Sequence, residues 1–186
     1  MNRREALGML AAGACVAAPA RASAGGPDVP AVRLLDHAGQ AHDLQRLCAG
    51  PVAIGFFYTG CTTVCPPQTA ALRDLRQRLD AAPARGRANA RILSITVDPL
   101  ADTPAAIEAY AQRFGVRLGL DAGWLMLTGQ PTVLGRVWRA FGVPVDDPAA
   151  HSSLLWLGSM KSDHWTRAAA LTPTARLVEL LAGVAS

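Results

Sequence analysis

The chain has 186 residues, of which 51% are hydrophobic and 17% charged, and its formal net charge is +4. That is enough for one domain with a proper core and too little for two. Only Arg85 to Arg91 is basic-rich, and it reads as a solvated loop without aromatic interleaving, so nucleic acid is set aside as a partner.

Arg3 and Arg4 precede an apolar run from Ala6 to Ala18, and Ala20-Arg21-Ala22 and Ala22-Ser23-Ala24 place small residues at signal-peptidase spacing. A run of about 13 residues falls short of the roughly 20 that cross a bilayer. A cleaved signal peptide over residues 1–24 is therefore expected, rather than a permanent anchor, with a periplasmic or other extracytoplasmic location. Arg3-Arg4-Glu5-Ala6-Leu7 also has the twin-arginine pattern. Lipidation of Cys15 is the lesser alternative, because Ala12-Gly13-Ala14-Cys15 lacks the leucine usual three positions earlier. Residues 25–186 are then expected to form a single domain. Cys48, Cys61 and Cys65 remain in it, an odd number that cannot pair completely. A reactive pair with a spectator fits better than a disulfide scaffold.

Ala31 to Leu35 reads as a short strand, followed by turn chemistry at Asp36-His37-Ala38-Gly39 and a second short segment. His37 and His42 flank this turn and are expected to be solvated. Val52 to Tyr58 is a continuous apolar run, the pattern of a central strand covered on both faces. From about Pro66 to Leu79 the pattern is helical, with Leu72, Leu75 and Leu79 on one face. Arg91 to Val97 is the next buried strand. Thr103 caps a helix that has Pro104 at its first position and runs to about Phe114. Trp124 to Leu127 is a short strand, and Pro131 opens a helix that stops at Gly142. Ser153 to Gly158 and His164 to Arg167 follow as strands. Thr172-Pro173 repeats the cap-plus-proline start before a last helix. Strands alternating with helices imply an α/β sandwich, with functional groups at the carboxyl ends of its central strands.

Cys61 lies just past the end of such a strand, in Tyr58-Thr59-Gly60-Cys61-Thr62-Thr63-Val64-Cys65-Pro66. The open N–H groups and dipole of the following helix lower a thiol's pKa there. Three residues separate the cysteines. Ideal helical geometry puts such Cβ atoms about 5–6 Å apart, against about 3.5–4.5 Å in a disulfide, so oxidation demands rearrangement. A metal with bonds to sulfur near 2.3 Å wants the sulfurs about 4 Å apart. The spacing suits a soft metal at least as well as a disulfide.

At these residues the sequence resembles the Sco/SenC family of copper-handling, thioredoxin-fold proteins. The resemblance runs through Phe57 to Pro66, Ser94-Ile95-Thr96-Val97-Asp98-Pro99, Asp102-Thr103-Pro104, Tyr110 to Gly115, Trp124 to Gly129 and Phe141-Gly142-Val143. It implies a thioredoxin-like fold, a central mixed sheet flanked by helices. It also implies copper bound by Cys61, Cys65 and a histidine just before a strand. His151 opens His-Ser-Ser-Leu-Leu-Trp-Leu and matches that position, whereas His164, after the strand, does not. Ala150 stands where the family usually has an aspartate, and the segment from Val143 to Ala150 is short. Two thiolates and an imidazole suit copper and leave it exchangeable.

Asp98 and Asp102 could position the loop or affect its charge, or serve as turn and cap residues. Cys48 reads as a buried small residue, Met126 as core and Met160 as a loop residue. The implied role is a copper-binding assembly factor that delivers copper to, or prepares the thiols of, a cuproprotein such as the copper-bearing subunit of cytochrome c oxidase. A thiol reductant is a further possible partner, and a monomer is expected. The alternative is an extracytoplasmic thiol–disulfide oxidoreductase in which Cys61 and Cys65 are the redox pair and copper has no physiological role.

Overall fold

The structure, a computed structural model, describes residues 25–82, 90–144, 147 and 153–185. The expected signal peptide, most of the Arg85–Arg91 loop and His151 lie outside the described residues.

Val52–Phe57 (β3) is buried at every position, as its unbroken apolar run predicts, and lies at the centre of a five-stranded sheet. Arg91–Thr96 (β4) pairs with it in parallel, and Trp124–Leu127 (β5) pairs in parallel with β4. Leu154–Ser159 (β6) runs antiparallel to β3, and His164–Ala169 (β7) antiparallel to β6. Helices Cys65–Ala81 (α2), Pro104–Arg113 (α3), Pro131–Phe141 (α4) and Thr174–Gly183 (α5) flank the sheet. A small hairpin of Arg33–Leu35 (β1) and Ala41–Asp43 (β2) leads into the four-residue helix Leu44–Leu47 (α1).

Alternation along the strands splits the core into two layers. Ile54, Phe56, Leu93, Ile95, Leu125 and Leu127 pack with Leu134, Val137 and Phe141 of α4. Ala53, Phe57, Ile92, Trp124 and Met126 face the other way, onto Leu72 and Leu75 of α2, Ile107 of α3 and Leu177 of α5. Burial therefore confirms Leu72, Leu75 and Leu79 as one face, and Cys48 and Met126 as core residues.

Local signals fix most boundaries. Thr103 accepts the Ala106 N–H at 3.2 Å and caps α3. Gly142, at φ 67°, ends α4 in the left-handed conformation that its lack of a Cβ permits. Asp163, at φ 54°, lies in the turn between β6 and β7. Other expectations need correction. The last helix begins at Thr174, and Thr172 does not cap it with its side chain. His42 is not solvated: its Nε2 lies 2.7 Å from Asp36 Oδ2, with only 11% of the side chain exposed. The other Asp36 oxygen accepts the Ala38 and Gln40 N–H groups, each at 2.9 Å, so one carboxylate organises the whole turn. His37 Nδ1 is buried and has no partner among the described residues.

Candidate dithiol site

β3 and β4 end level with one another, Phe57 opposite Thr96, and the thiol loop leaves from the end of β3. On the other side, β6 pairs with β3 only over Val52, Ala53 and Ile54. The Phe56 carbonyl, beyond that ladder, accepts from Gln68 Nε2 of α2 at 2.8 Å. Gly55 makes this approach possible, since a Cβ there would lie 3.1 Å from Gln68 Nε2 and 3.0 Å from Leu155. The start of α2 is thereby held against the strand that delivers the thiols.

Helix α2 begins at Cys65, one residue earlier than the sequence pattern suggests, and Val64 at its N-cap offers no side-chain acceptor. Two of the usual orphan donors are missing, because Pro66 and Pro67 have no N–H. The remaining Cys65 N–H points at Cys61 Sγ, 3.3 Å away. Cys61 is thus not a helical residue four positions from its partner. It sits in a turn closed by its own N–H on the Tyr58 carbonyl at 3.2 Å, and its sulfur does the work of a capping group. Neither cysteine is in a disulfide, and their side chains hydrogen-bond to each other.

This arrangement makes the sulfurs unequal. Burial alone would raise the Cys61 thiol, but hydrogen bonds from the Cys65 side chain and N–H and from Thr63 outweigh it, and the value falls from 9.0 to about 7. Burial pushes Cys65 up, and the hydrogen bond to Cys61 and the nearby Asp102 carboxylate push the same way. Tyr58 is raised by burial, by the adjacent Cys61 charge and by the hydrogen bond it gives the Cys61 sulfur. Cys48 is raised to about 12 by burial and takes no part in the site.

Asp102 stands behind the loop, fully buried. Its Oδ1 accepts the Thr59 N–H at 2.9 Å and the Thr59 hydroxyl at 2.6 Å, and Oδ2 accepts the Thr96 hydroxyl. Asp98 has the turn role, its Oδ1 accepting the Ala101 N–H at 3.4 Å. The sequence left both roles open for both residues, and the structure divides them.

His164 opens β7 opposite Ser159, level with the start of β3 and not with its end. The length of β3, roughly 16 Å, therefore lies between it and the thiol loop. Among the described residues no group of three or more His, Cys, Asp or Glu is placed to hold a metal. The two sulfurs themselves fit a soft ion, since thiolates select Cu(I) over harder cations and these two are hydrogen-bonded to each other. Three site residues escaped the sequence reading: Tyr58, Thr63 and Gln68. Tyr58 and Thr63 lie beside the cysteines in the chain, so proximity was the available signal; nothing in the pattern marked Gln68.

A mixed sheet with an unbridged cysteine pair at the junction of a central strand and the next helix defines a thioredoxin-like dithiol protein. The SCO1/SenC family matches over residues 25–185, and the chain belongs to that family. A mitochondrial SCO2 homolog from Bos taurus is 32% identical over 147 residues, 73% of this chain and 52% of the relative. The chain thus spans about half the length of the curated relatives it matches. BsSco, described as having a disulfide switch and as a member of the Sco family of cytochrome c oxidase assembly proteins, superposes with a TM-score of 0.72 at 23% identity, covering 86% of this chain and 94% of its own. Bradyrhizobium japonicum ScoI with copper bound gives 0.64 at 23% identity, covering 86% and 98%.

Proposed function

We propose that this chain is a copper-binding assembly factor of the extracytoplasmic space, which carries copper to a cuproprotein such as the copper-bearing subunit of cytochrome c oxidase. The observation that carries this reading is the pair of unbridged, mutually hydrogen-bonded thiols at the strand–helix junction. Cys61 and Cys65 supply two soft sulfurs, and His151 supplies the third ligand. The direction of β6 supports His151: its first residue, Leu154, lies toward the end of β3 that leads to Cys61. Copper is the cargo, and three ligands leave it exchangeable. Residues 1–24 act as a removable export signal, which N-terminal sequencing of the exported protein checks against an expected start near Ser23 or Gly25.

Titrating the reduced protein with Cu(I) against a competing chelator tests the ligand set. Cys61→Ser, Cys65→Ser and the double variant lose copper retention to a similar extent, His151→Ala loses much of it, and His164→Ala loses almost none. A single cysteine variant that binds like the parent ends the shared-site reading. The reverse order for the two histidines ends the choice of His151.

A second reading, a thiol–disulfide oxidoreductase, draws on the inequality of the sulfurs. A thiol held at about 7 beside one pushed up is the arrangement of an attacking and a resolving cysteine. A reduced parent that binds no Cu(I) leaves this reading in place of the first.

A further inference from the structure

We propose that Asp102 is the positioning residue of the thiol pair: its buried carboxylate clamps Thr59, and so holds the loop in the arrangement that keeps Cys61 and Cys65 as a dithiol. The proposal rests on the reading of Cys61 and Cys65 as one working pair.

A buried carboxylate is costly unless it is paired or fully hydrogen-bonded. Asp102 is 0% exposed, and no Lys, Arg or His pairs with it among the described residues. Three donors offset part of that cost, although burial still holds the carboxyl above its ordinary value, and they come from the exits of two adjacent strands. Oδ1 takes both donors of Thr59, after β3, at 2.9 and 2.6 Å. Oδ2 takes the hydroxyl of Thr96, the last residue of β4, whose oxygen in turn accepts the Asp98 N–H at 2.9 Å. The Thr59 carbonyl is held as well, by Arg113 of α3 at 3.3 Å. Every polar group of Thr59 is therefore fixed to a neighbouring element.

Thr59 lies inside the turn that the Cys61 N–H closes on Tyr58. The Cys65 backbone is held in α2, so a backbone movement that brings the sulfurs together has to come from the Cys61 side. In the dithiol the sulfurs are at hydrogen-bonding distance; a disulfide needs them at about 2.05 Å. A loop pinned at Thr59 resists that movement, and a released loop permits it. Helix capping does not explain Asp102, because Thr103 is the cap of α3.

The test is the equilibrium of the purified full chain with glutathione. The dithiol gives two electrons and two protons to glutathione disulfide, forming the Cys61–Cys65 disulfide and two glutathiones. Asp102→Ala is expected to shift this equilibrium toward the disulfide at least tenfold, about 30 mV in the two-electron couple. Asp102→Asn shifts it less, since the amide oxygen still accepts from Thr59 while the nitrogen cannot accept from Thr96. Thr59→Val, which removes one donor, moves it the same way. Ile92→Ala, a fully buried change at the far end of β4, lowers the Tm without moving the equilibrium.

Asp102→Ala and Asp102→Asn both within twofold of the parent overturn the proposal, as does an equal shift in Ile92→Ala. If Asp102→Ala fails to fold, Asp102→Asn and Thr59→Val decide. A parent that stays reduced at every glutathione ratio, with variants that oxidise, supports the clamp; variants that also stay reduced overturn it. Loss of Cu(I) binding by the parent would instead fall on the proposed function, and the glutathione equilibrium would still judge the clamp.

Discussion

Alkylation of Cys61 offers a direct measure of the site's electrostatics. Its thiol is held at about 7 instead of 9.0. At pH 7 about half of it is thiolate, against about 1% for an unperturbed thiol, a gain of about fiftyfold. Lower basicity costs intrinsic nucleophilicity by about six- to tenfold for two pKa units, so the net advantage is about five- to eightfold. Cys61 is only 5% exposed, which slows reaction at every pH by the same factor and leaves the midpoint of the profile untouched. Because the pKa is depressed, reactivity is present above 7 and lost as the pH falls through it. Iodoacetamide labelling of the reduced protein, read by peptide mass spectrometry from pH 5 to 10, should show Cys61 reacting first with a midpoint near 7. Cys48, raised to about 12, is the internal control and stays unlabelled until the protein unfolds. Cys65→Ala removes a donor to the Cys61 sulfur and moves the midpoint up. A parent midpoint above 8.5, or labelling of Cys65 ahead of Cys61, would refute the argument.

Two further predictions concern stability. A Cβ at Gly158 would lie 2.1 Å from the Trp165 ring, so Gly158→Ala must displace a buried indole; it should cost about 1–3 kcal/mol in urea unfolding, with a changed tryptophan fluorescence, and an unchanged midpoint would contradict the packing. Thr103→Ala removes the side-chain cap of α3 and should cost about 1 kcal/mol, seen as a lower urea midpoint at constant slope.

Much of the fold was legible because its signals are local. The unbroken apolar run of β3, the Thr103-Pro104 start and the glycine stop at Gly142 each carry their own physical cause. Helix α1 was not legible, since four residues give no periodicity. Thr172-Pro173 looked like another cap, yet the helix starts one residue beyond the proline. The Asp36–His42 contact depends on the hairpin's folding back, which spacing alone does not specify. For the site, the cysteines were legible from their place after a strand. The idealised helical distance between them was not the operative geometry, because Cys61 stands outside α2 and caps it. Asp102 was ambiguous for a similar reason: only the level ends of β3 and β4 bring Thr59 and Thr96 to one carboxylate. His151 came from the resemblance, which places a histidine just before a strand, and it lies outside the described residues.

The inequality of the two sulfurs follows from the backbone before any ligand is considered. A sulfur that caps a helix needs lone pairs directed at N–H groups, and such a sulfur is stabilised as a thiolate. Its partner, inside the first turn, has already spent its own N–H on that cap and donates its S–H to the same acceptor. Cys61 is therefore the sulfur that is both deprotonated near neutrality and nearer the surface, at 5% exposure against 0% for Cys65. Whatever approaches, a soft cation or a disulfide, meets Cys61 first. Engagement of Cys65 then requires its proton to leave a buried position with a carboxylate behind it. Under both functional readings the expected order is therefore Cys61 before Cys65. A single substitution at either cysteine is therefore expected to disable the pair, Cys61→Ser by removing the first contact and Cys65→Ser by removing the second sulfur, with a similar loss of copper retention.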